Sequence, residues 1–373
     1  MSKNVIKLID LDNLLCYNEI VEENISKIGG VNMNNKEKKN KRSRRILLLL
    51  MLMLTTSGLL AVSSYAWFTA NKNVTVSTLN VNVQAQNGIQ ISTNGTTWKS
   101  VISNADITGA HATYNSSVNQ IPTTMEPVST GGNANAQGQL EMFLGVVTAD
   151  AAGDFKLTAT KQTDQEENGP TATGKYIAFD LFFKVDADTP IYLTTESKVT
   201  TPDVTDNGIQ NAARVAFGIL GNTTAGSDLS TIQGLNAGTG SRYYIWEPNN
   251  NLHSAASITH AKDTYGLTIS DNHATAIPYS GIIKDITSDN NVKVGEANAT
   301  SHSTLFKDVT PDYSTKAGAD FSAYVQMFTL TKGVTKVRVY MWIEGQDVDC
   351  QNGASGSNAD FDLKFSTDAA ATP

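Results

Sequence analysis

The chain has 373 residues, 40% of them hydrophobic and only 17% charged. That is enough apolar material for one large or two modest folded domains, and too much for disorder throughout. Residues 1–66 hold ten of the basic and six of the acidic residues, which leaves 18 basic against 30 acidic in the remainder. A charge of −12 there excludes nucleic-acid binding by phosphate neutralisation and is repelled by anionic lipid.

Residues 1–32 space Val5, Leu8, Leu11, Leu14 and Leu15 as a helix would, with acidic residues between them. Met33 stands directly before a basic cluster, so we expect translation to start there. A regulatory N-extension over residues 1–32 is the alternative. The cluster runs from Lys36 to Arg45, an apolar run follows from Ile46 to Val62, and Ser64-Tyr65-Ala66 makes a small-residue exit. Charge, apolar core and small-residue exit are the three parts of a secretory signal peptide. We expect residues 33–66 to be that signal, cut by a signal peptidase between Ala66 and Trp67. A permanent anchor fits less well. The apolar run has 17 residues and is interrupted by Thr55-Thr56-Ser57-Gly58, against roughly 20 apolar residues for a spanning helix. The membrane is then met only through the uncleaved signal.

After Ala66 the pattern changes to period two. Val74 and Val76 share one face, while Leu79, Val81 and Val83 share a face in the opposite phase. A bulge or bend is expected at Ser77-Thr78, and residues 67–86 form an N-terminal strand segment. Ile89 and Ile91 start another strand. Residues 102–138 are polar and read as a long surface excursion. Strands follow from Gln139 to Val147 and from Phe155 to Thr160. The clearest is Lys175 to Asp186, in which Ile177, Phe179, Leu181, Phe183 and Val185 line one apolar face. Ile191 to Val199 can pair with it across the turn at residues 187–190. Further strands are expected at Arg214 to Leu220, Arg242 to Asn249, Ile277 to Ile283, Phe321 to Leu330, Lys336 to Glu344 and Asp360 to Phe365. The signal peptide is expected to be helical, no helix longer than a turn or two is expected in the mature part, and residues 366–373 read as a flexible tail.

Some dozen short strands with turn signals between them predict an all-β chain, a jelly-roll-like β-sandwich with long polar loops over residues 87–365. No linker divides it, although the sequence does not distinguish one sandwich from two. Cys16 precedes the cut, so Cys350 would be the one cysteine left and no internal disulfide could form.

Ser64-Tyr65-Ala66-Trp67-Phe68-Thr69 followed by Thr78-Leu79-Asn80-Val81 resembles the start of the TasA/camelysin family of secreted Gram-positive proteins, whose signals go to a dedicated signal peptidase, SipW. Asn80 stands where that family usually has Asp, and Thr69-Ala70-Asn71 where an acidic residue is common. The segment Val339 to Cys350 is similar to one that recurs in Firmicute proteins with this signal type. The resemblance covers about 20 residues at the N-terminus and a dozen near the C-terminus. It implies a jelly-roll extracellular subunit, secreted to the matrix or cell surface, that polymerises with itself into biofilm fibres. Other matrix proteins or cell-wall components are further partners it implies. In that family the N-terminal segment of one subunit completes the sheet of the next. Carried onto this chain, the donor side chains are Val74, Val76, Leu79, Val81 and Val83. Pairing inside its own sheet is the alternative for this segment.

The camelysin name implies a metalloprotease, but the five histidines, His111, His253, His260, His273 and His302, form no His-Glu-x-x-His arrangement. No Gly-x-Ser-x-Gly elbow is present. We therefore expect no enzyme activity and no cofactor beyond a candidate Ca²⁺. Asp347, Asp349, Asp360 and Asp362 bracket a tight loop, and carboxylates so spaced could hold that ion. A solvated turn with outward-facing strand residues is the alternative. Tyr243, Trp246 and Trp342 could form an aromatic surface that stacks sugars, which a monomeric adhesin would use. Core and cross-strand packing is the reading we favour for them.

Overall fold

The computed structural model describes residues 79–83, 89–149, 155–167, 172–201, 208–250, 252–265, 268, 278–294, 299–315, 325–350 and 359–369. All lie within one compact unit, Ser64–Pro373. The N-extension, the signal with its Ala66/Trp67 cut, and Val74 and Val76 of the donor segment lie outside the described residues, as does the Ser77-Thr78 bend.

The described residues are mostly β, as expected. Two six-stranded sheets dominate. The main sheet runs in the order β14 (Tyr313–Ser314), β11 (Arg242–Glu247), β10 (Ala213–Thr223), β16 (Gly333–Ile343), β7 (Ile177–Val185) and β2 (Gln90–Ser92). The second runs β15 (Val325–Leu330), β8 (Thr189–Leu193), β17 (Asp360–Ser366), β1 (Leu79–Val83) and β3 (Val101–Ile102), with β9 (Lys198–Thr200) also on β17. A three-stranded sheet, β4 (Val128–Ser129), β5 (Met142–Ala149) and β6 (Phe155–Gln162), and the pair β12 (Tyr279–Ile282) and β13 (Phe306–Val309) complete the set.

The core between the two large sheets follows from alternation. Ile177, Phe179, Leu181 and Phe183 of β7 join Val337, Val339 and Met341 of β16, and meet Phe361, Leu363 and Phe365 of β17. Phe365 sits edge-on to both Phe183 and Phe217, with ring centroids 6.1 and 5.6 Å apart. Each such buried ring contributes about 2–3 kcal/mol of apolar transfer.

The opposite face of the main sheet is covered too. Ala178, Ala216, Tyr340 and Trp342 pack under Val128, Leu140, Met142, Tyr279 and Val309. This third layer corrects one expectation. Residues 102–138 are no surface excursion, because Ile107, Tyr114, Met125 and Val128 in that segment are buried. Tyr279 and Val309, from the region after β11, also supply part of the cover. The expected hairpin of 175–186 with 191–199 also does not form. Both edges of β7 are taken, by β16 and β2, so the chain crosses at residues 186–188 and β8 pairs with β15 and β17 instead.

Among the described residues three α-helices form, α1 (Asn104–Thr108), α2 (Leu229–Gln233) and α3 (Ala255–Tyr265). The third runs 11 residues, longer than expected. It carries no clear apolar stripe, but Ser254 Oγ accepts the Ser257 backbone N–H at 3.1 Å and so caps its first turn.

The first described strand lies beside the last. β1 runs parallel to β17, with Leu79 opposite Phe361, Val81 opposite Leu363 and Val83 opposite Phe365. On its other side it pairs only through Val81 and Asn82 with β3.

Candidate functional site

Two groups of buried charges lie on the outward face and at the end of the main sheet. In the first, Arg338 on β16 stands directly opposite Asp180 on β7. Its Nε donates to Asp180 Oδ1 at 2.7 Å and its Nη2 to Oδ2 at 3.1 Å, a bidentate geometry specific to guanidinium and carboxylate. Tyr114 OH donates to Asp180 Oδ2 at 2.8 Å, and Lys336 Nζ donates to Tyr114 OH at 2.8 Å and to the Gln233 carbonyl at 2.9 Å. Asp164 accepts the hydroxyls of Tyr176 and Tyr340 at 2.6 and 2.5 Å. Its Oδ2 lies 3.7 Å from Arg338 Nη1. Burial alone would raise the Asp180 carboxyl, but Arg338 and Lys336 outweigh it and hold the group well below the usual carboxylate range. Two acids face two bases, so the charges cancel.

The second group forms where β11 ends, β10 begins and β16 ends. Antiparallel register brings these three positions together, with Val215 opposite Trp246 and Ala213 opposite Ile343. Arg214 Nη2 bridges Glu247 Oε1 and Asp347 Oδ2, each at 2.7 Å. Its Nη1 donates to the Asn211 and Ala213 carbonyls at 3.0 and 2.9 Å. Just past β16 the chain folds into a turn, in which Asp347 Oδ1 accepts the Asp349 backbone N–H at 2.9 Å. Asp349 Oδ1 accepts the Ser254 N–H at 2.9 Å, and its Oδ2 lies 2.6 Å from His253 Nδ1. Gly208 sits against this carboxylate at φ +86°. A Cβ there would lie 2.7 Å from Asp349 Oδ1, so both the conformation and the space require glycine.

Glu344, fully buried, accepts the Trp342 indole N–H and the Gln346 N–H, each at 3.0 Å. Burial pushes its carboxyl up to about 7, against donation from Ser129, Trp342 and Gln346 and the charge of Arg214. The Tyr279 hydroxyl also feels it. Burial likewise raises Glu247 against the pull of Arg214, with Asp347 adding to the rise. For His253, burial is overcome by the bond to Asp349 and the charge of Asp347, so its imidazolium is favoured. Four acids therefore converge on one arginine and one histidine.

The sequence expectations map onto these groups unevenly. Of the four candidate Ca²⁺ aspartates, Asp347 and Asp349 come together and are joined by His253, with ligand atoms all within 4.8 Å of one another. Asp360 and Asp362 do not join them. They lie on β17 opposite Thr200 and Lys198. The aromatic surface is corrected outright. Trp246 and Trp342 are fully buried and Tyr243 is 7% exposed, so alternation has put them into packing rather than onto a face open to sugars. Leu79, Val81 and Val83 of the donor segment pair in this chain's own sheet as β1, the alternative given for them above, while Val74, Val76, Ala66 and Trp67 lie outside the described residues. Cys350 is buried at the core between the sheets.

Sequence reasoning missed Arg214, Glu247 and His253. The signal for the first two is an ionisable residue at the end of an otherwise apolar strand, where a neighbouring strand must supply its counter-charge. No family model matches the chain, nor does any curated protein or any solved structure.

Proposed function

We propose that this protein is a secreted structural subunit with a jelly-roll-like sandwich that assembles head-to-tail into extracellular matrix fibres by exchanging its N-terminal strand. The position of β1 carries the reading. It is held by five parallel positions on β17 and two on β3, almost 300 residues from β17 in sequence and with no hairpin tying the two. No local turn fixes such a strand in place. When it leaves, the edge of β17 from Phe361 to Phe365 is open, and an open edge is a template for an equivalent strand from another copy. Exchange preserves every backbone bond of the slot, and because donor and acceptor surfaces differ, the contact runs head-to-tail and propagates where the rotation between copies does not close a ring. A signal peptidase cut at Ala66/Trp67 would free the donor end. The supporting resemblance is the Ser64 to Val81 segment.

Electron microscopy of the purified chain from Trp67 onward tests this. Filaments are expected at high concentration, and deletion of residues 67–83 should leave single particles. Single particles from the intact mature chain, or filaments from the deleted one, would overturn the assignment.

A further inference from the structure

We propose that the end of the main sheet where β11, β10 and β16 meet is a structural site for a divalent transition-metal ion, held by His253, Asp347 and Asp349 with the Glu247 carboxylate beside them. The ligand atoms of the first three lie within 4.8 Å of one another. Donors bonded to one ion at roughly 2.0–2.2 Å stand at most about 4.4 Å apart, so a small closure suffices. Glu247 supplies the independent observation. It is only 5% exposed, and its Oε2 accepts no hydrogen bond among the described residues, although Oε1 is engaged by Arg214. Arg214 Nη2 holds it beside Asp347, at 2.7 Å from an oxygen of each. A buried carboxylate oxygen without a donor is costly, and a cation is the partner that would remove the cost.

Charge points the same way. Glu247, Asp347 and Asp349 face one guanidinium, Arg214, and the His253 imidazolium, so the group has one negative charge in excess, and two once that ring gives up its proton to bind an ion. A divalent ion cancels them. The donor set then selects the metal. Oxygen-only sites suit Ca²⁺ and Mg²⁺, whereas one imidazole nitrogen with carboxylates suits Zn²⁺, Co²⁺ or Mn²⁺. The Ca²⁺ expected from the aspartates alone is thereby replaced by a borderline metal. Binding would displace the proton shared between His253 Nδ1 and Asp349 Oδ2 to solvent. The supporting bonds are in place, from Ser254 N–H and Asp349 N–H to the carboxylates and from Arg214 to Asp347. The ion would clip the turn after β16 to the end of β11 and to the start of α3.

The test uses the mature chain stripped with chelator and titrated with Co²⁺ and Zn²⁺. Visible cobalt absorption and the melting temperature are the readouts. Saturation at one Co²⁺ per chain, displacement by Zn²⁺ and a rise in melting temperature are expected. His253→Ala should abolish the cobalt bands, and Glu247→Gln should weaken binding at least tenfold while circular dichroism stays unchanged. No saturable binding up to millimolar metal, binding equal in both variants and parent, or stabilisation by Ca²⁺ and not by Zn²⁺ would each overturn the proposal.

Discussion

The two buried charge groups on the main sheet make an instructive pair. Both sit on strands whose other face packs in the same core, and both are nearly shut off from solvent. In the group around Arg338 and Asp180, opposite charges stand in cross-strand register, tyrosine hydroxyls occupy carboxylate oxygens, and Arg338 Nη1, which makes no hydrogen bond among the described residues, still lies 3.7 Å from the opposite charge of Asp164. In the group around Arg214, acids outnumber bases and Glu247 Oε2 goes without a donor. A balanced buried network can be held by protein groups alone. A buried surplus of one sign is held at a cost, and that cost marks the place where something else is to be bound.

The largest effect is expected from breaking the balanced side. Asp180→Ala removes the carboxylate shared by Arg338, Lys336 and Tyr114 and should cost about 3–5 kcal/mol in a denaturant titration. A loss below about 1 kcal/mol would mean that the network is not what locks the third layer onto the sheet. Next in size is a difference in response to pH, measured in chelator. The Glu344 carboxyl rises from the ordinary 4.5 to about 7 on folding. Its contribution is full below about 4.5, falls as pH rises to about 7, and amounts to about 3 kcal/mol at most. Glu344→Gln should flatten that slope. Asp180 has the opposite sign. Its carboxyl is held below the ordinary 3.8, so its contribution is present above that value and is lost as pH falls beneath it. Identical pH profiles for the parent and the glutamine variant would contradict the difference between the two groups.

The sequence made the inner faces of β7, β10 and β16 legible, because alternation of Val, Ile and Phe is a local pattern. It hid the third layer. Ala178, Asp180, Lys336 and Arg338 look like an outward polar face, and only their cross-strand pairing lets them be buried. Segment 102–138 looks like a loop because its buried residues, Ile107, Tyr114, Met125 and Val128, follow no period. The second charge group was half legible. Asp347 and Asp349 stand out in one short turn, but Arg214, Glu247 and His253 reach them only through strand register and the path into α3. Asp360 and Asp362 shared the aspartate pattern but belong to β17, whose alternation governs them instead.

The account rests on β1 of one copy occupying the slot beside β17 of another. Asn82 stands opposite Lys364 across that slot, at a spacing that a disulfide between parallel neighbours can bridge. Mature chains carrying Asn82→Cys would be mixed under oxidising conditions with chains carrying Lys364→Cys, both with Cys350→Ala. Strand exchange predicts covalent dimers that contain one chain of each kind. If cross-links appear only when both cysteines are on one chain, and then only within it, the strand stays at home and the fibre-subunit reading is wrong.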